Sequence, residues 1–387
     1  MTAIPKDIPA YGFTEAKSVG SIMTYPVKPM SKYDADIVIT YNGVCHTDIH
    51  MIDNDWGMAR WPLIPGHEIV GHVINLGSQI TDLKVGDVVA LGCMAQSCLT
   101  CEPCIKGLDN ICADRVFTYF GDTKDETGTH PHHGGFGSYM RTDGRKLFKV
   151  PPSIEEKYVG PLMCAGITVF EPMRHFLNGT DGTGKTIAVA GIGGLGHVAL
   201  QFAAKMGAKV IAMSRGTSKT DFAKELGAHE LLDTTNGEAM AAAAGTIDLL
   251  IFTASGGFAD VNQYLTLMKP YGNMYVIFHL CVCFFVNSRD YPSNNLHIFF
   301  VPLSSHFCGI PAEDVKFNVM PMVFGRISIS GNPGGGSGDT KLMLQFAAEH
   351  DIKPIIEVFP HSKANEAIQK VRDGTIRFRA VLKNDLV

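Results

Sequence analysis

The chain lacks a basic excess, a long apolar run and a leader-like N-terminus, and each absence removes a class of function. Its 33 lysines and arginines face 38 aspartates and glutamates, a net charge of −5 over 387 residues. A mildly acidic chain without a basic run is a poor candidate for binding nucleic acid or an anionic membrane by bulk electrostatics. No apolar run approaches the roughly 18 residues of a membrane-spanning helix; the longest, residues 280–286, falls far short of that length. The first residues, Met1-Thr2-Ala3-Ile4-Pro5-Lys6-Asp7, contain no apolar leader segment, so a cytoplasmic protein is expected. In that compartment the ten cysteines point to metal or thiol chemistry rather than disulfides. Charged residues are sparse at 18%, whereas 45% are hydrophobic and 41 are glycine, the composition of a packed globular protein rich in tight turns. The length exceeds what one small core needs, so two domains are expected.

The cysteines are unevenly placed. Cys98, Cys101, Cys104 and Cys112 read C-x2-C-x2-C-x7-C within 15 residues, with Pro103 and Gly107 supplying turns. Four thiolates so close in sequence can close a tetrahedron around Zn²⁺ without the rest of the chain, which is the character of a structural site. A second constellation combines Cys45 in Gly43-Val44-Cys45-His46-Thr47-Asp48-Ile49-His50 with His67 and Glu68 in Pro65-Gly66-His67-Glu68, and with the distant Cys164. Each alone also reads as a core residue. Together they make a Cys2His set with an open fourth position, the pattern of a catalytic zinc.

A third constellation starts with the β-branched run Thr186-Ile187-Ala188-Val189-Ala190, read as a buried parallel strand. Gly191-Ile192-Gly193-Gly194-Leu195-Gly196 follows, then apolar residues at helical spacing and a second strand from Lys209. This strand–GxGxxG–helix–strand order is the context in which the motif binds a dinucleotide, with backbone amides approaching the pyrophosphate at a helix N-terminus. The second strand ends in Ser214-Arg215-Gly216-Thr217-Ser218-Lys219 rather than in a carboxylate. Arg215 and Lys219 suit a 2′-phosphate, so NADP(H) is favoured over NAD(H).

On these residues the sequence resembles the zinc-dependent medium-chain alcohol dehydrogenases, and within them the NADP-dependent cinnamyl-alcohol-dehydrogenase group. The resemblance extends to Cys164-Ala165-Gly166-Ile167-Thr168 and to Gly374-Thr375-Ile376-Arg377-Phe378-Arg379-Ala380-Val381, so it covers nearly the whole chain. It implies an α/β protein: a strand-rich GroES-like catalytic domain (1–164 and 335–387) and a doubly wound Rossmann domain (165–334). Cys45, His67 and Cys164 then correspond to catalytic zinc ligands with Glu68 as the exchangeable neighbour, and the four-cysteine lobe to the structural zinc. The resemblance places Thr47 at the start of a hydroxyl relay and His50 where the proton reaches solvent. It sets Ser214, Arg215 and Lys219 on the 2′-phosphate, Thr168 and Thr253 beside the nicotinamide, and Trp56 and Trp61 in the substrate pocket. A homodimer with a small alcohol or aldehyde substrate is implied. The expected reaction is interconversion of aromatic or medium-chain aldehydes and alcohols, with reduction favoured. A polyol or short-chain alcohol dehydrogenase is the alternative.

One segment departs from the family. Residues 278–308 contain seven aromatic residues, three cysteines and no glycine, and interrupt the expected junction of Val276-Ile277 with Gly309-Ile310-Pro311. An apolar insertion in a core connection has no evident place to bury itself, which favours translated intron sequence over a lineage-specific insertion. If genuine, it would favour a non-catalytic zinc- and NADPH-binding protein. The glycine-rich 331–338 reads as a flexible crossing between domains. His130, His132 and His133, flanked by Pro131 and Gly134-Gly135, read as a surface loop rather than a metal site.

Overall fold

The computed structural model describes residues 7–254, 261–276, 318–332 and 334–386. The anomalous 278–308 segment lies outside the described residues.

The first sheet is organised by Asp34–Val44, whose Ala35, Ile37 and Ile39 alternate into a core shared with Ile69, Val73, Val89 and Leu91. A period-two pattern of this kind buries one strand face and fixes the register. Phe148–Lys149, Val88–Leu91, Ile69–Leu76, Asp34–Val44, Arg379–Lys383 and Ile356–Pro360 lie side by side in that order, with Tyr139–Asp143 also paired to Asp34–Val44. The tail therefore closes a sheet begun by the first quarter of the chain.

The second sheet is parallel throughout, ordered Glu230–Asp233, Lys209–Ser214, Thr186–Ala190, Ile247–Phe252, Met268–Val276 and Ser328–Gly331. Thr186–Ala190 is buried along its whole length, which is why its sequence is an unbroken apolar run rather than an alternation. The strand order reverses at this strand, so its C-terminal end opens a crevice, and Gly191 stands there.

A continuous helical rod joins the sheets: Glu156–Pro161, a π-helical turn at Leu162–Gly166, and Ile167–Leu177. Its Leu162, Val169, Phe170 and Met173 share one core with Ile187, Val189 and Phe202 beneath the parallel sheet. Withdrawing a side chain such as Phe170 from water contributes about 2–3 kcal/mol. Helix Ser337–Glu349, just past the glycine-rich crossing, adds Met343, Leu344 and Phe346 to the same core before the chain returns to the first sheet.

Two of the three neighbouring histidines are not in a loop, and His133 follows the strand directly. His130 and His132 lie on strand Gly128–His132, paired with Gly121–Asp125, because the short 126–127 connection lets the two runs form a hairpin. They do not converge. His132 is buried between the Thr118 carbonyl (2.5 Å) and Thr142 Oγ1 (3.0 Å), His130 pairs with Thr127 Oγ1 (2.9 Å), and His133 packs on Tyr25.

Candidate metal centres and cofactor crevice

The four-cysteine lobe is built on a short turn of helix, Glu102–Ile105, with Cys101 at its N-cap and Pro103 in its first turn. Gly107 has φ +74°, which only glycine adopts freely, and reverses the chain toward Cys112. The four sulfurs all lie within 4.8 Å of one another. Backbone N–H groups of Thr100 and Cys101 bring the Cys98 thiol down to about 6. At Cys101 the N–H of Cys104 acts in the same direction, but burial and the three neighbouring sulfurs outweigh it and push the thiol up to about 12. So close a group can become four thiolates only when a cation displaces the protons, and four sulfurs at this spacing fit Zn²⁺.

The second cluster is assembled from three distant stretches. Cys45 caps helix His46–Asp53, His67 and Glu68 precede strand Ile69–Leu76, and Cys164 sits on the π-helical turn. The donor atoms of Cys45, His67, Glu68 and Cys164 again lie within 4.8 Å of one another. Cys45 Sγ is 3.7 Å from Cys164 Sγ, which is 3.3 Å from His67 Nε2. Asp48 organises the site: its carboxylate accepts from the Cys45 N–H (2.9 Å), the Gly66 N–H (3.1 Å) and His67 Nδ1 (3.1 Å). In the neutral ring that bond directs Nε2 of His67, the remaining acceptor, at the sulfurs, the arrangement that orients a metal-binding imidazole. Burial disfavours the protonated ring, but Asp48 and the Cys45 sulfur outweigh it and raise His67 well above its ordinary value when no metal is bound.

Glu68 is completely buried, with Oε1 against the Arg379 guanidinium and Oε2 without a hydrogen-bond partner among the described residues. A Cβ at Gly43 would stand 1.8 Å from Oε2, so only glycine there leaves room for this carboxylate. An unpartnered buried oxygen beside two sulfurs and an imidazole fits a divalent cation. Arg379 also reaches the nucleotide side, its Cδ standing 3.3 Å from a Cβ built on Gly194.

Thr47 is buried with Oγ1 3.6 Å from Cys45 Sγ. His50 lies one helical turn further on, but it is buried rather than at the surface. Its Nδ1 pairs with Asp55 (2.8 Å), whose side chain is 23% exposed, and its ring packs on Trp56 at 4.8 Å. Asp55, not His50, is therefore the member of this chain that meets water. Trp56 and Trp61 are both half-buried against the core of the first sheet's domain.

At the crevice, Gly191 has φ +93° and a Cβ on Gly196 would meet the Gly191 carbonyl at 1.8 Å. These two glycines make the tight turn; among the described residues nothing lies within 4 Å of a Cβ at Gly193. Leu195 is buried and begins helix Gly196–Lys205. Thr253 Oγ1 donates to the carbonyls of Ala190 (3.1 Å) and Gly191 (3.0 Å), holding the loop against strand Ile247–Phe252. Ser214 is half-buried and Arg215 exposed at the neighbouring strand end, and Lys219 Nζ donates to the Ile192 carbonyl (3.2 Å). The Asp233 carboxylate on the next strand accepts from the N–H of Gly216 (2.8 Å) and of Thr235 (2.9 Å), so it is engaged locally. Thr168 faces the crossing, where Asn332 Nδ2 donates to its carbonyl (3.0 Å).

Sequence reading did not single out Asp48, Asp55 or Arg379. The capping position of Asp48, three residues after Cys45, was a usable signal; nothing local marks Arg379, which meets Glu68 across 311 positions.

A dinucleotide-type crevice opening beside a buried thiolate–imidazole cluster defines a metal-assisted dehydrogenase. Residues 31–152 match the alcohol dehydrogenase GroES-like domain family, and residues 194–278 the zinc-binding dehydrogenase family. The chain is 36% identical to an aldehyde reductase of Synechocystis sp., covering 97% of this chain and 99% of that protein. It is 32% identical to an NADP-dependent alcohol dehydrogenase of Mycolicibacterium smegmatis, covering 97% of each. A cinnamyl alcohol dehydrogenase from Sorghum bicolor superposes with a TM-score of 0.84 at 31% identity over 99% of both chains. The chain belongs to the zinc-dependent alcohol dehydrogenase family.

Proposed function

We propose that this chain is an NADP(H)-dependent alcohol dehydrogenase that reduces aromatic or medium-chain aldehydes, with one zinc at Cys45, His67 and Cys164 and a second at Cys98, Cys101, Cys104 and Cys112. The observation that carries this reading is Arg379, which meets Glu68 of the Cys45–His67–Cys164 cluster and also stands beside Gly194 of the Gly191–Gly196 loop. When bound, zinc supplies Lewis acidity toward the substrate oxygen and NADP(H) supplies or accepts the hydride. Cys45, His67 and Cys164 hold the metal, and Asp48 fixes the tautomer and angle of His67. Glu68 is the exchangeable carboxylate beside them. Thr47 takes or gives the substrate proton, His50 passes it on, and Asp55 orients His50 and meets water.

On the cofactor side, Gly191, Gly193, Gly194, Leu195 and Gly196 present backbone amides to the pyrophosphate, and Thr168 and Thr253 line the nicotinamide. Ser214, Arg215 and Lys219 receive the 2′-phosphate. Trp56 and Trp61 support an aromatic substrate pocket. Residues 1–164 and 335–387 act as the catalytic unit and 165–334 as the cofactor unit.

The relatives named for NADP or for aldehyde reduction support the cofactor and the direction. The exposed Val319, Met320, Val323 and Phe324 beside edge strand Ser328–Gly331 support a homodimer. Among the described residues no helix is long and apolar enough to cross a membrane. A cytoplasmic location is part of this reading, in keeping with cysteines grouped at metal-ligand spacing.

The direct test is NADPH consumption with cinnamaldehyde or benzaldehyde by the zinc-loaded 387-residue protein. Turnover is expected. Arg215→Ala should lower kcat/KM for NADPH by about tenfold or more, the worth of a charge-assisted contact, and leave NADH almost unchanged. Equal losses with both cofactors would remove the 2′-phosphate assignment.

A further inference from the structure

The four-cysteine lobe sits far in sequence from the glycine-rich crossing, yet a buried polar chain connects them. Cys104 Sγ lies 3.6 Å from Ser97 Oγ, and Lys146 Nζ donates to that oxygen at 2.5 Å and to the Asp109 carboxylate. Asp109 in turn accepts from the Ser337 N–H (2.6 Å) and from Ser337 Oγ (2.7 Å). Lys146, Asp109 and Ser97 are each at most 4% exposed, so these bonds act in a low-dielectric interior. Ser337 opens helix Ser337–Glu349 directly after the glycine-rich crossing.

The lobe also grips the crossing itself. Asn110 Nδ2 donates to the Gly334 carbonyl at 2.5 Å, and Gly338 N–H donates to the Gly107 carbonyl at 3.2 Å. A Cβ at Gly336 would come within 2.0 Å of the Gly107 carbonyl, so the two backbones touch. On its other side the crossing holds Thr168 through Asn332, and one small cavity is lined by Asp109, Asn110 and Lys146 as well as by Cys164 and Thr168. Sequence reading treated 331–338 as a flexible link, whereas these contacts fix it at both ends of its arc.

We propose that Asp109 is a positioning residue that makes the four-cysteine lobe a strut for the cofactor crevice: through Ser337 it holds the 334–337 crossing in place, so NADP(H) binding depends on the lobe. This rests on the proposed cofactor reading. It assigns the lobe a task beyond its own folding, because the thiols set the position of a backbone segment that borders the nicotinamide side.

Ser337 allows a test that spares the lobe. Ser337→Ala removes the hydroxyl bond alone. Ser337→Pro removes both bonds, and proline is well placed there because Ser337 is the first helical residue and Gly336 is extended (φ −80°, ψ −175°). Ser97→Ala interrupts the chain from the lobe side. Zinc content, NADPH affinity by nicotinamide fluorescence, kcat and KM, and amide exchange across 332–340 would be measured on the purified zinc-loaded protein. With two zincs retained, NADPH affinity should weaken about threefold in Ser337→Ala and Ser97→Ala and about tenfold in Ser337→Pro. KM for NADPH should rise in step with kcat little changed, and exchange across 332–340 should accelerate. Unchanged NADPH affinity and exchange in Ser337→Pro would overturn the proposal, as would loss of zinc in Ser337→Pro, which would confine the network to folding the lobe. Failure of the unmodified protein to bind NADPH would instead overturn the cofactor reading.

Discussion

The two metal-type clusters present the same compactness, donor atoms within 4.8 Å, by opposite routes. In the lobe all four ligands come from 15 consecutive residues, all are sulfur, and three remain partly exposed. In the other, residues 45, 67, 68 and 164 converge from a helix cap, a pre-strand turn and a π-helical turn, and the donors are mixed and almost wholly buried. A local cluster needs only its own turns to form. A dispersed one exists only when the first sheet, the helical rod and the C-terminal strand are already packed, and it carries supports such as Asp48 and Arg379 that the lobe does not require. Chemistry follows the same division: four thiolates saturate a tetrahedral ion, whereas two thiolates and an imidazole leave a place for substrate oxygen.

Removing one sulfur from each cluster should separate these roles most sharply. Cys164→Ser is expected to lower kcat/KM for aldehyde reduction by on the order of a hundredfold to a thousandfold, with the lobe's zinc retained and the fold intact. Cys104→Ser should lose a different zinc, lower Tm by roughly 5 °C or more and open residues 97–115 to protease. Metal analysis and limited proteolysis on both variants check the contrast; equal protease sensitivity would abolish it.

A gentler change acts on one cluster's support. Asp48→Asn keeps the shape but weakens the acceptor of the Cys45, Gly66 and His67 donors, and should cost about 10- to 100-fold in activity or catalytic-metal affinity. Zinc in the lobe should be untouched, as titration with a colorimetric chelator would reveal.

Acid probes the scaffold beneath both. Burial holds His132, His197 and His361 down to about 4. In the unfolded chain they take protons near pH ~6.5. Between these limits the unfolded state binds more protons, so stability falls as pH falls, by about 1.4 kcal/mol per pH unit for each ring. Among the described residues His361 Nε2 has no hydrogen-bond partner, so His361→Phe should flatten that acid limb by one ring's share without altering either cluster. Urea unfolding at pH 7 and pH 5 measures the difference, and an unchanged slope would show that His361 is not buried neutral.

Much of this site is legible in the chain because it depends on local geometry. The cysteine spacing, the glycine loop between an apolar run and a helical one, and the absent carboxylate after Met213 each state a backbone requirement within a few residues. The histidine triplet misled for the same reason: Pro131 and two glycines suggest a loop, but pairing with Gly121–Asp125 overrides local propensity. His50 shows a further limit, since its burial depends on Trp56 and the surrounding core.

The sequence by itself determined which atoms are available and how the backbone must turn: sulfurs at metal-ligand spacing, glycines where a Cβ would collide, and Arg215 rather than a carboxylate at the end of the second parallel strand. Tertiary structure alone decided what those atoms face. Arg379 reaches Glu68 because the last strand pairs with Asp34–Val44. Asp109 reaches Ser337 because the lobe folds back onto the crossing. Contacts across 311 and 228 positions leave no local signature, since they arise from burial of whole elements against one another rather than from the conformational preferences of neighbours in the chain.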